Sequence, residues 1–128
     1  MNDRAPLEQL LSIADLQADR ALADFRAAQA KCDSVMQDIA ELKAQKSRAE
    51  HIVDQAVLER WQRWRAERLT ELIRQFKDLQ EIAERARQNA AAQEGRRNAL
   101  GQLLRDARDE RRRTKARTIE EQPFAEQR

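Results

Sequence analysis

From Leu7 onward a small or apolar side chain returns at alternating steps of four and three residues. The series runs Leu7, Leu11, Ala14, Ala18, Ala21 and Phe25, and continues through Cys32, Ile39 and Leu42 to Val53 and Ala56. Only Lys46 interrupts it. A 3.5-residue period held over so many heptads specifies a left-handed coiled coil, because a straight helix would rotate such a stripe away from its partner. A second seam of equal regularity reads backwards from Ala107 through Leu104, Leu100, Arg97, Gln93 and Ala90 to Leu72 and Leu69. Between the two the phase slips by one residue, since Val57, Trp61 and Trp64 fall in one frame and Leu69 and Leu72 in another.

The slip and the pairing together predict a chain reversal, although the stretch QKSRAEHIVDQ holds no glycine or proline. Antiparallel helices match residues whose numbers add to a constant. A constant of 104 sets Ala14 against Ala90, Ala18 against Ala86, Ala21 against Ala83, Phe25 against Leu79 and Cys32 against Leu72, so small faces small or large faces smaller. The expected fold is therefore all-α, an antiparallel two-helix coiled-coil hairpin with the second helix overhanging. It forms one coiled-coil domain: helix 1 over about 6–48, opened by Pro6, a hinge over about 49–56, helix 2 over about 57–117, and a flexible tail at 118–128 in which Pro123 ends any helix. On this register Leu100, Leu103, Leu104 and Ala107 have no partner within the chain. The competing architecture is one rod of roughly 165 Å paired in parallel with a second copy. Gly95 and Gly101 lie within helix 2, where each costs about 1 kcal/mol against alanine, and suggest looseness or a closely approaching partner.

Composition supports helix and argues against catalysis. Ala, Glu, Lys, Leu and Arg make up 73 of the 128 residues, whereas there are two glycines, two prolines, five aromatics and no tyrosine. That is too little turn chemistry for a sheet and too little bulk for a globular core. One histidine and one cysteine do not supply a zinc site or a Cys/His catalytic pair. His51 and Asp54 would lie one turn apart on a helix, but no nucleophile or phosphate-binding loop accompanies them. Cys32, in the seam, reads as a small buried hydrophobe. No catalytic residue, cofactor or metal is expected.

Charge is nearly balanced, at 25 basic against 23 acidic residues, but residues 96–117 carry 9 basic and 3 acidic groups. The cluster RDARDERRRTKAR reads first as a solvated face or non-specific phosphate binder, and its interspersed Asp106, Asp109 and Glu110 weaken a nucleic-acid reading. Trp61 and Trp64, in ERWQRWRAER, share a helix face and read as either a cap on the hairpin core or an interface hot spot. No run of about 18 apolar residues spans a bilayer, and the acid-bearing start is unlike a signal peptide, so the chain is expected to stay in the cytoplasm.

The N-terminal LEQLLSIADLQADRALADFRAAQAKC, the RWQRW followed by a Leu-, Ile- and Phe-bearing helix, and the basic second helix with its polar tail resemble the FliJ/YscO family of flagellar and type III secretion export. The resemblance covers nearly the whole chain. It implies an antiparallel hairpin, similar to that of the γ subunit of rotary ATP synthases, which enters the pore of the hexameric export ATPase, links it to the export gate protein and handles export chaperones. It also implies a place in the cytoplasm, peripheral to the inner-membrane export apparatus. The chain departs from the family in lacking tyrosine, which some relatives carry on the gate-facing part. Resemblance and pattern meet at Leu100, Leu103, Leu104, Arg108, Arg111, Arg112 and Arg113, the expected ATPase-binding strip. A homodimeric scaffold or adaptor, or a basic nucleic-acid-associated protein, is the alternative.

Overall fold

The computed structural model describes residues 4–45, 49 and 51–126. They form two long helices, α1 over Arg4–Ala44 and α2 over Gln55–Glu126, with no strand among the described residues. The fold is the all-α, two-helix hairpin that the seams predict. It divides into two compact units: unit 1 is Met1–Arg20 with Ala91–Arg128, and unit 2 is Ala21–Ala90. Each unit is built from a segment of both helices.

α1 ends at Ala44, short of residue 48. The chain then turns, with the Ala49 N–H donating to the Gln45 carbonyl at 3.3 Å and the Ile52 N–H to the Ala49 carbonyl at 3.0 Å. Lys46 lies outside the described residues. Residues 52–54 are not helical, and α2 starts at Gln55 because Asp54 caps it. The Asp54 Oδ1 accepts from the Ala56 N–H at 2.9 Å and the Val57 N–H at 3.4 Å, while its carbonyl accepts from the Leu58 N–H at 3.0 Å. This satisfies donors that the helix itself leaves orphaned.

The seams are read correctly from Leu7 to Leu42 and from Leu69 to Ala107, where their members are buried or half-buried. They are wrong at the reversal. Val53 is 98 % exposed and Ala56 is exposed, since the chain has left the helix before them and the heptad no longer applies. The phase slip sits inside α2, where Trp61, Arg65 and Leu69 are half-buried at two successive steps of four.

The register is a second correction. In unit 2, Ala28 and Cys32 cluster with Ala83, against which Leu79 also packs, and Ile39 and Leu42 cluster with Leu72. Ala28 with Ala83 and Ile39 with Leu72 both add to 111, not 104. In unit 1 the guanidinium of Arg97 lies 3.9 Å from Asp15, numbers that add to 112. The difference is one heptad, the interval at which a periodic seam repeats its own pattern. Both units are antiparallel, since partners fall along α2 as they rise along α1.

α2 runs on to Glu126, past the expected end at 117 and past Pro123. Pro123 has no N–H to donate to the Ile119 carbonyl, so the helix passes it with that bond missing. Gly95 and Gly101 are ordinary helical positions. A Cβ at Gly95 meets nothing within 4 Å, and one at Gly101 meets only Arg105 Nη1 at 3.8 Å, so neither glycine is required by close packing within the chain.

Candidate partner-binding surface

The register shift redistributes the residues expected to bind a partner. Leu104 is 5 % exposed, a burial that an unaccompanied helix does not give, and Leu100 and Ala107 are half-buried. Arg108 reaches Glu8 of α1 at 3.8 Å. Leu100, Leu104, Ala107 and Arg108 therefore belong to the paired part of unit 1, Arg108 at its exposed edge, while Leu103, 54 % exposed, and Arg111, Arg112 and Arg113 lie on the surface. The overhang begins about one heptad later than expected, and residues 108–120 are exposed throughout.

Asp106, Asp109 and Glu110 lie beside Arg113 and Arg117 around a shallow groove that Thr114 also lines. Two threonines turn inward, Thr114 Oγ1 donating to the Glu110 carbonyl at 3.0 Å and Thr118 Oγ1 to the Thr114 carbonyl at 2.9 Å. The face left for a partner is thus dominated by long guanidinium side chains, which carry several fixed donors each.

The two tryptophans part company. Trp61 is half-buried in unit 2 and borders a small recess with Gln45, Ala49 and Ile52. Arg65, one turn on, lies 5.9 Å from the Trp61 ring centre and donates from Nε to the Leu42 carbonyl at 3.2 Å. One side chain therefore satisfies a terminal carbonyl of α1 and stacks on the ring that covers the turn. Trp64 is 52 % exposed and contributes its surface outward.

Sequence reasoning passed over a polar layer. Arg97 and Gln93 occupy seam positions in unit 1, and Arg97 meets Glu94, Asp15 and Asp19, the last at 3.6 Å. The hydrogen bond that Arg97 donates to the Glu94 carboxylate, aided by the charges of Glu94 and the two aspartates, holds the guanidinium pKa above its ordinary value. Gln93 Oε1 is buried without a hydrogen-bond partner. The available signal was an arginine in an apolar seam with two aspartates four residues apart on the other helix.

No catalytic constellation assembles among the described residues. His51 is exposed, and Asp54 is committed to capping α2 rather than to orienting the imidazole. Cys32 is a buried free thiol in the unit 2 core. No group of metal-ligating side chains occurs among the described residues, and no described helix is long and apolar enough to cross a membrane. No family model, curated protein or solved structure matches the chain.

Proposed function

We propose that the chain is a non-enzymatic stalk component of a flagellar or type III protein export apparatus, which binds the hexameric export ATPase through the exposed end of α2. One observation carries the reading: a matched pair of helices continues into a single helix, exposed over residues 108–120, that bears Arg111, Arg112 and Arg113. Groups so placed contribute nothing to packing within the chain. They suit polar or acidic loops arranged around a rod. The export gate protein and export chaperones are the further partners, and the site of action is the cytoplasmic side of the inner membrane.

The test is the triple variant Arg111→Glu, Arg112→Glu, Arg113→Glu, assayed with the purified ATPase. Helicity and Tm should stay within a degree or two of the parent, because exposed charges add little to folding. Binding and ATPase stimulation should fall at least tenfold, most steeply at low ionic strength where attraction is least screened. A folded triple variant that stimulates normally refutes this end as the contact. Loss instead of nucleic-acid retention that had survived high salt would favour the phosphate-binding alternative.

A further inference from the structure

In unit 1 one flank of the helix pair is charged and closed. Arg108 meets Glu8 there, and Arg97 meets Asp15 and Asp19. The opposite flank carries exposed apolar side chains. Leu10 lies about 200° around α1 from Glu8, and Leu103 about 140° around α2 from Arg108, at 100° per residue. Both are exposed, at 44 % and 54 %, and Ile13 adds to the same side of α1.

On α2 that flank presents exposed Arg96, Ala99, Leu103 and Asp106 at steps of three, four and three. The stripe reads alike from either end, and its charges are opposite at the two ends. Placed antiparallel to itself about the midpoint at residue 101, it sets Arg96 against Asp106 twice and Ala99 against Leu103 twice. Arg96 and Asp106 of one chain are about 15 Å apart along the helix, beyond any ion pair, so this complementarity is not used internally. A surface whose charges cancel and reverse about a two-fold axis suits its own copy, whereas a uniformly charged partner would meet one end favourably and the other not.

We infer that unit 1 self-associates as a two-fold, antiparallel dimer through the Arg96–Ala99–Leu103–Asp106 stripe of α2. This differs from a parallel rod, because each chain keeps its own seams filled. Self-pairing is independent of the export reading, and it covers Leu103, so the dimer and a form in which a partner holds Leu103 exclude each other. The interface is small, and its dissociation constant should lie on the order of 10–100 µM.

Sedimentation equilibrium of the full chain from about 5 µM to 1 mM tests the pairing. The wild type should pass from monomer to dimer with loading. Arg96→Glu alone and Asp106→Arg alone should each weaken the dimer at least tenfold, since each sets like charges together twice. An equimolar mixture of the two variants should recover wild-type affinity as a heterodimer, because every facing pair is then opposite in sign. Leu103→Asp, at an exposed position that leaves helicity intact, should abolish association. A wild type monomeric throughout overturns the inference. So does a mixture no tighter than its components, which would mean that a foreign helix or nothing covers the flank.

Discussion

Native Cys32 offers a direct measurement of register. With matched numbers adding to 111 it faces Leu79, and with 104 it would face Leu72. Leu79→Cys and Leu72→Cys each provide a second thiol, and each removes one leucine from the seam of unit 2. Seven residues of helix separate the two positions, about 10.5 Å along the axis, whereas a disulfide tolerates a Cα separation of at most about 7 Å. Only one of the two variants can therefore close without dragging the helices past each other. In the observed register it is Leu79→Cys. The bond closes a loop of 48 residues, counted from Cys32 through position 79, and the chain-entropy relation gives about 4 kcal/mol of stabilisation over the reduced form. Refolding in a glutathione redox buffer, followed by intact mass and non-reducing electrophoresis, reads the outcome. Leu79→Cys should form an intrachain disulfide under conditions where Leu72→Cys stays reduced or crosslinks between chains. Preferential intrachain closure of Leu72→Cys would refute the register, and its absence from both would refute the hairpin.

Trp61→Ala should destabilise the protein by about 2 kcal/mol and lower Tm by several degrees, because the ring covers the turn, whereas Trp64→Ala should change stability by less than about 0.5 kcal/mol. Thermal melts followed by circular dichroism separate the two. Asp54→Ala should cost about 1 kcal/mol in urea unfolding, with Asp54→Ser recovering most of it, since either oxygen caps α2. Gln93→Leu should raise stability by about 1 kcal/mol by replacing an orphaned buried acceptor with an apolar group, and no gain in the same urea assay would mean that the amide is satisfied in solution.

The seams were legible because a 3.5-residue period leaves its mark on every seventh position, and the structure buries Ala14, Ala18, Ala21, Cys32 and Leu72 as that period requires. The register was not legible from the same residues. Sliding one helix by a heptad sets apolar seam against apolar seam again, and alanines at 14, 18, 21, 28, 83, 86 and 90 give little size contrast to penalise the slide. The information lay in the polar seam residues: Arg97 finds Asp15 and Asp19 only in the observed register. The same miscount displaced the candidate surface, moving Leu104 and Arg108 from the overhang into the paired helices while leaving Arg111, Arg112 and Arg113 exposed. The hinge was hard to place because its signal was neither glycine nor proline but one aspartate, Asp54, which in sequence resembles the other acids along the chain.

The hydrogen bond from Arg65 to the Leu42 carbonyl joins residues 23 apart in sequence, and the ion pair from Arg108 to Glu8 joins residues 100 apart. Closing the longer loop from an open chain costs about 1.3 kcal/mol more, so the contacts beside the turn form earliest on the folding path. Each layer formed afterwards inherits the alignment set there, because neighbouring layers are rungs of continuous helices. A chain that closed one heptad out would have to unzip back to the turn before it could correct itself. The Arg65 contact beside the turn is thus the cheaper of the two to close, and the alignment it favours is the one in which the aspartates meet Arg97.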